Sequence, residues 1–341
     1  MKPFITFVLP AYNVGDYIEI CIQSILNQTE KDFKIVLVDD GSTDGKTKEI
    51  CEKYSKMYPE IISAIFQENK GQGGARNSGF RLVDSKYVMF LDPDDFLDLN
   101  FIKFLKKYEK EYSRMQIDII FTMPIIYDHL QQVFYDWYDK EIFNRIFGAN
   151  PYCIPALNVD IYDLEVSACR KIFNVEFLRR INFQFDEGIK YEDFFPHFYT
   201  LSLARNCLGF NCTSFYYRVN RPGQTTSLKN AARLDIVNVL SKTLDYVLTL
   251  PDRRVQLKFL RQSVIFTKWC ITNSVKEIRK ELVKQLHVLF MKIPKDLIKE
   301  YYKYEPSTKS KIYVKILRNG IFLNMLADSL YIEIAKEKIK K

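Results

Sequence analysis

Two hydrophobic rhythms alternate along the first 121 residues. Short apolar runs at "FITFVLP" (4–10), "FKIVLVDD" (33–40), "IISAIFQE" (61–68), "YVMFLD" (87–92) and "IDIIF" (117–121) have the continuity of buried strands. Between them, residues 15–28 place Tyr17, Ile18, Cys21, Ile22, Ile25 and Leu26 at helical spacing. Residues 42–58 open on Ser, Thr and Asp and continue as a helix, and further helices are expected at 73–83 and 99–112. Strands alternating with helices predict a mostly parallel sheet covered on both faces, with ligands bound outside the carboxyl ends of its strands. Residues 122–168 show no readable period. After them, 168–180 reads as a helix, "FYYRV" (215–219) as a strand, "NRPGQTTSL" as a loop, and everything from about 229 as helical.

Two acidic groups stand at predicted strand ends: Asp39-Asp40 and Asp92-Pro93-Asp94-Asp95. Carboxylates packed this closely repel one another, so a cation or a set of hydrogen-bond donors is expected among them. Each group alone could also be a solvated turn or a helix N-cap. Their shared position at one sheet edge favours a binding role.

Composition narrows the picture. The chain has 341 residues, 47% of them apolar, and no stretch of eighteen apolar residues, so a globular protein without a membrane span is expected. The amino-terminal segment is broken too early by Pro10 for a signal peptide. Seven scattered cysteines form no C-x-x-C pair, which argues against zinc and for reduced thiols in the cytoplasm. His129, His197 and His287 have no ligand spacing and read as structural, although His197 lies one helical turn from Asp193 and could tune it. Residues 230–341 hold 23 basic against 11 acidic side chains, about +12 of a formal +8, leaving the rest near −4. Such a basic region either packs as a helical cap or docks on an anionic membrane surface, with 318–341 as a candidate interfacial helix. Nucleic acid is a poor partner: the acidic sheet edge repels phosphate and no nucleic-acid module is present.

The segments "FITFVLPAYNVGDYIEICIQSILNQTEKDFKIVLVDDGSTDG", "ENKGQGGARNSGF" and "YVMFLDPDDFLD" together resemble the amino-terminal half of GT-A glycosyltransferases of family 2. "ACRKIFNVEFLRR" and "FDEGIKYEDFFP" resemble the next block of bacterial members that build surface polysaccharides, so the resemblance covers residues 3 to 227. It implies an α/β fold, a Rossmann-like mixed sheet flanked by helices, with a C-terminal α-helical region. The expected domains are a GT-A domain at 1–227, with a nucleotide-sugar half (1–121) and an acceptor and base half (122–227), followed by a basic helical region at 228–341, which the resemblance does not cover and which is read from period and charge alone. The implied activity is inverting, metal-dependent transfer of a hexose or N-acetylhexosamine from a UDP-sugar to a hydroxyl of a glycan or lipid-linked glycan. The protein is expected in the cytoplasm, either free there or, through its basic C-terminal region, peripheral on the cytoplasmic face of the inner membrane.

Residue by residue, the resemblance assigns Asp92 and Asp94 to a D-x-D element that holds Mg²⁺ or Mn²⁺, with Asp94 the principal ligand, Asp92 near the donor's ribose or the metal, and Asp95 capping or bracing the helix after it. Oxygen ligands suit such hard cations. Pro10, Ala11, Tyr12 and Asn13 would form one wall of the nucleoside pocket and Asp39, Asp40, Gly41 and Ser42 the other, with Asp39 on the uracil imide. For Tyr12, plain core packing is the alternative. Gly73 would permit close backbone approach, and Arg76 would pair with the diphosphate or brace the acids. Arg218 or Arg221 would reach the diphosphate, unless they are exposed loop residues. Asp193, with Glu192 second, would be the base that takes the acceptor's proton; the pair could instead cap the helix running to Ala204. A catalytically inactive glycan- or nucleotide-binding protein of the same fold is the competing reading, and the retained acids argue against it.

Overall fold

A computed structural model describes residues 2–148, 152–224 and 230–320, in two compact units that end at Gln224 and start at Thr225. The expected boundary at 227/228 and most of the expected interfacial helix at 318–341 lie outside the described residues.

The first unit opens as the apolar rhythm predicts. Strands β1 (Ile5–Ala11), β2 (Phe33–Asp39), β3 (Ile62–Phe66) and β4 (Tyr87–Phe90) are parallel neighbours in the order β3-β2-β1-β4. β1 and β4 are buried along their whole length, because helices α1 (Ile18–Leu26), α2 (Thr47–Met57), α3 (Gly71–Phe80) and α4 (Phe101–Glu111) cover the sheet. Phe7, Leu9, Ile22, Leu37, Met89, Phe101 and Leu105 belong to one core, each worth about 1.5–3 kcal/mol when fully buried. The chain order turns back at β1, which pairs with both β2 and β4, so a crevice opens beyond their carboxyl ends.

Beyond β4 the expected, mostly parallel sheet becomes mixed. After the short β5 (Phe96–Leu97), β6 (Ile117–Asp128) runs well past the predicted strand at 117–121. The segment without readable period holds β7 (Val133–Asp136), α5 (Lys140–Phe147) and β8 (Tyr152–Pro155). The helix expected over 168–180 divides into β9 (Lys171–Asn174) and α6 (Val175–Arg180), and β9 inserts antiparallel between β4 and β6. Asn174 ends the strand and starts the helix, its side chain accepting from the Phe177 amide at 3.0 Å. α7 (Phe194–Leu203) follows, and β10 (Asn206–Val219) is far longer than the predicted 215–219, lying parallel to β6.

The second unit is helical: α8 (Asp235–Val247), α9 (Arg253–Thr272), α10 (Lys276–Lys292), α11 (Lys295–Tyr304) and α12 (Thr308–Asn319). α9 is central, with Leu257, Phe259, Leu260, Val264, Cys270 and Ile271 all buried. Among the described residues no helix is long and apolar enough to cross a membrane, and every described cysteine is a free thiol.

Candidate active site

The carboxyl ends of β1 and β2 are stitched together by side chains of the predicted nucleoside walls. Pro10 and Ala11 are buried strand residues, and the Ala11 carbonyl accepts from the Asp40 amide at 2.8 Å. Asn13, held at φ 51°, accepts on Oδ1 from the Thr43 amide at 2.7 Å, and its own amide donates to Ser42 Oγ at 3.1 Å. This use of residues 42–44 explains why α2 begins at Thr47 rather than at Ser42. Tyr12 is 48% exposed, so it is not a core residue. Asp39 is buried and accepts from the Ser42 amide at 3.2 Å. Asp40 braces the loop into α3, accepting from Gln67 Nε2 at 2.7 Å and the Lys70 amide at 2.9 Å. Gly41 has φ +72°, a left-handed turn that favours glycine.

Gly73 acts at a distance from these walls. A Cβ there would stand 2.1 Å from the Asp186 carbonyl oxygen, so its absence lets segment 185–188 lie directly on α3. Asn77 clamps that segment, accepting from the Phe185 amide and donating to the Phe185 carbonyl, both at 2.9 Å. The chain then passes Tyr191, a bulky residue at φ +64°, straight into Glu192-Asp193.

That close approach delivers both acids to Arg76. Its guanidinium, 1% exposed, donates from Nη1 to Glu192 Oε1 (2.9 Å) and Asp193 Oδ1 (2.6 Å), and from Nη2 to Asp92 Oδ1 (3.0 Å). Gln72, one turn earlier on α3, donates to the same Asp92 oxygen at 2.7 Å. Asp193 Oδ2 accepts from the Ala168 amide at 3.1 Å. The alternative of a helix cap for Asp193 is not what its carboxylate does: it stands at the α7 N-cap without a capping hydrogen bond.

The other end of the acid cluster faces β10. Asp94 Oδ2 accepts from Arg221 Nε at 2.5 Å, and the Asp94 carbonyl from Arg218 Nε at 2.8 Å. Asp95, fully buried, accepts the Arg218 amide on Oδ1 at 2.8 Å. Arg218 also lies against His129 Nδ1 (3.2 Å) and over the rings of Tyr17, Phe96 and Tyr127. Neither arginine is an exposed loop residue, since Arg218 is buried and the Arg221 side chain is 7% exposed. His197, a candidate tuner of Asp193 by its spacing, instead points its ring to the Tyr162 carbonyl at 3.3 Å.

Five carboxylates (Asp92, Asp94, Asp95, Glu192, Asp193) thus gather around three arginines: Arg76 pairs with Asp92, Glu192 and Asp193, Arg221 pairs with Asp94, and Arg218 gives its backbone amide to Asp95 and its Nε to the Asp94 carbonyl. With all five ionised they would outnumber the three guanidiniums by two, a difference that one divalent cation would balance. It shows in the acidities. Burial raises Asp92 to about 6, with Arg76 opposing and Asp94 and Asp193 reinforcing. Burial together with the Asp193 charge raises Glu192 to about 7 against Arg76. Asp95 is pushed well above the usual carboxylate range by burial and by Asp94 and Asp92, and its buried Oδ2 has no partner among the described residues.

The donor set fits a hard divalent cation. Ligand atoms of Asp92, Asp95 and Cys169 lie within 4.8 Å of one another, but burial keeps the Cys169 thiol protonated, leaving carboxylate oxygens as the ligands available. Asp92 and Asp94, the pair expected from the sequence, flank the same turn, with the Asp94 carboxylate on Arg221.

These raised acidities predict a stability profile. Asp92 and Glu192 keep their protons to higher pH when folded than when unfolded. Folding therefore takes up protons between about pH 4 and 7, and stability falls as pH rises through that window. In EDTA, the Tm is expected to drop by roughly 5 °C or more between pH 5.5 and 7.5, and Mg²⁺ or Mn²⁺ at pH 7.5 should recover it. Thermal melts across that range check this; a Tm that climbs with pH would contradict the acid surplus.

A mixed sheet flanked by helices, with C-terminal helices after it, places the chain in the GT-A class of nucleotide-sugar transferase folds. The chain matches, over residues 6–159, the family described as "Glycosyl transferase family 2". It is 31% identical over 223 residues to Glycosyltransferase GlyA of Streptococcus pneumoniae serotype 4, covering 64% of this chain but only 31% of that protein's length. It is 28% identical over 300 residues to Glycosyltransferase GlyG of the same organism, covering 82% of this chain and 94% of that one. The fold is shared with S. aureus TarS residues 1–349, crystallised with UDP-GlcNAc, at a TM-score of 0.75 and 18% identity over 99% of this chain and 92% of that one.

Proposed function

We propose that this chain is an inverting, metal-dependent glycosyltransferase that moves a hexose or N-acetylhexosamine from a UDP-sugar to a hydroxyl of a glycan acceptor. The observation that carries the proposal is the Arg76 junction, which holds Asp92 of the D-x-D turn and the Glu192-Asp193 pair in one hydrogen-bonded unit. Support for the donor comes from TarS, of the same fold, which binds UDP-GlcNAc.

In this reading Asp39 receives the imide N–H of the base, between the walls at 10–13 and 39–42. Asp94, with Asp92 and Asp95, would hold Mg²⁺ or Mn²⁺, which neutralises charge on the departing diphosphate when bound. Arg218 and Arg221 add positive charge to the same place, and Arg221 is free to turn to the diphosphate once Asp94 has another partner. Asp193 takes the proton of the acceptor hydroxyl as it attacks from the face opposite the leaving group. Its side chain is 18% exposed against 7% for Glu192, so Asp193 is the member of the pair that an acceptor can reach. Residues 1–227 would carry this chemistry, while the basic helices from 228 onward would meet the anionic surface of a membrane bearing a lipid-linked acceptor. Relatives in bacterial surface-polymer pathways, such as the teichuronic acid protein TuaG of Bacillus subtilis, make that class of acceptor the first to try.

Hydrolysis of UDP-Glc, UDP-Gal, UDP-GlcNAc and UDP-GalNAc, each with Mn²⁺, Mg²⁺ or EDTA, tests the reading. One of the four should turn over in metal alone, and Asp94→Ala should cut that rate by about 100-fold or more. Turnover undiminished in EDTA would remove the metal, and failure of all four to bind would remove the UDP-sugar.

A further inference from the structure

Lys171 is a buried cation that the proposed reaction does not use. It is 1% exposed at the start of β9, and among the described residues no carboxylate stands within ion-pair distance of its ammonium. Nζ donates instead to two successive backbone carbonyls, Val166 at 2.7 Å and Ser167 at 2.9 Å. The next residue in that turn is Ala168, whose amide donates to Asp193 Oδ2. The Lys171 amide closes the turn from the other side, donating to the Ala168 carbonyl at 3.0 Å.

Burying an ammonium costs several kcal/mol unless its surroundings compensate. A methionine would fill the same volume without that cost, so packing does not explain the charge. Burial pushes the Lys171 pKa down to about 8, while Glu165 and Asp193 hold it up, so the ammonium senses the Asp193 charge. The surrounding groups fix what it can do. Arg170 is occupied by Asp139; Glu165 accepts from the Ser167 amide and hydroxyl; His197 is turned to Tyr162 and kept neutral by burial and by the neighbouring Lys171 charge. Among the described residues, Lys171 is therefore the one side chain seen to hold the carbonyls of Val166 and Ser167.

We propose that Lys171 is the positioning residue of the Asp193 carboxylate, acting through the Val166–Ala168 turn. The inference rests on the reading of Asp193 as the base. Arg76 fixes one carboxylate oxygen and the Ala168 amide the other, which sets the direction in which the carboxylate can meet an acceptor hydroxyl. Without the ammonium, two buried carbonyls lose their donor, the turn opens, and the Ala168 amide leaves Oδ2. A base displaced by about 1 Å loses up to about 100-fold in rate, whereas the nucleoside walls at 10–13 and 39–42 are untouched.

The test uses the full chain and whichever of UDP-Glc, UDP-Gal, UDP-GlcNAc or UDP-GalNAc the native protein hydrolyses fastest. Lys171→Met should lower kcat by roughly 10- to 100-fold, with UDP affinity by calorimetry unchanged within about twofold. Hydrogen exchange of the 166–169 amides should speed up. In the Asp193→Asn background the same substitution should cost almost nothing further, because the carboxylate it positions is already gone. A native kcat in Lys171→Met, or equal and additive losses in both backgrounds, overturns the inference. Should Lys171→Met not fold, Lys171→Gln, which keeps amide donors on a shorter stem, takes its place with an intermediate loss of kcat; native kcat in that variant overturns the inference equally. Asp193→Asn separates the two ideas. If it retains native turnover, the base assignment has failed; if it is inactive while Lys171→Met is not, only the positioning role has.

Discussion

Replacing Arg76 by alanine is expected to destabilise the first unit by about 3–5 kcal/mol at pH 7.5, the usual cost of removing one partner from a buried ion pair. The Tm should fall by roughly 10 °C. The magnitude reflects the groups left behind. Asp92, Glu192 and Asp193 would face one another without the guanidinium that now bonds all three, beside the further acids Asp94 and Asp95. Like charges at this range cannot all stay ionised, so Asp92 and Glu192 would take up protons still more readily. The deficit should therefore shrink as pH falls towards 5.5. Arg76→Lys should recover only part of it, because a single ammonium cannot reproduce a fork whose Nη1 serves Glu192 and Asp193 while Nη2 serves Asp92. Parallel melts of the native protein, Arg76→Ala and Arg76→Lys at pH 5.5 and 7.5 decide it. A Tm for Arg76→Ala within about 2 °C of native at pH 7.5 would mean that the three acids do not depend on this cation.

What the sequence makes legible here depends on how each element is stabilised. β1, β2 and β4 are buried by helices on both faces, so they read as unbroken apolar runs, and the acids after them stand out at once. The helices of the second unit announce themselves by period, although nothing in their spacing names a ligand. β9 is the element that misleads. It is four residues long, Arg170 and Lys171 at its start are buried charges, and its apolar residues continue into α6 at a spacing that resembles one helix. Missing β9 conceals the antiparallel insertion that carries Glu192-Asp193 across 116 residues of sequence to Arg76. Gln72 was within reach, since it stands four residues before Arg76 on the same helix and so on the same face. The Ala168 amide was not, because a backbone donor leaves no mark on residue type. His197 shows the opposite failure: a spacing of one turn from Asp193 is real, yet the side chain leaves the helix toward Tyr162.

Asp193→Asn should lower transfer and hydrolysis by about 10²- to 10⁴-fold, the range over which a positioned general base contributes, while the affinity for UDP stays native. The substitution keeps size and leaves an oxygen that can still accept from Ala168 or Arg76, so it removes basicity with little change of shape. Glu192→Gln provides the contrast. Glu192 is buried at 6% exposure and holds its proton readily at neutral pH, with a pKa raised to about 7, so part of the native population already carries it neutral. A permanently neutral side chain there removes one of the surplus charges, and the variant should be at least as stable as native at pH 7.5. Its turnover should fall far less than that of Asp193→Asn. If the two substitutions exchange these outcomes, Glu192 is the base and Asp193 the brace. That would require the acceptor to reach a side chain only 7% exposed. The partly open position of Asp193, with one oxygen held by Arg76 and the other by a backbone amide, makes the first assignment the one the geometry supports.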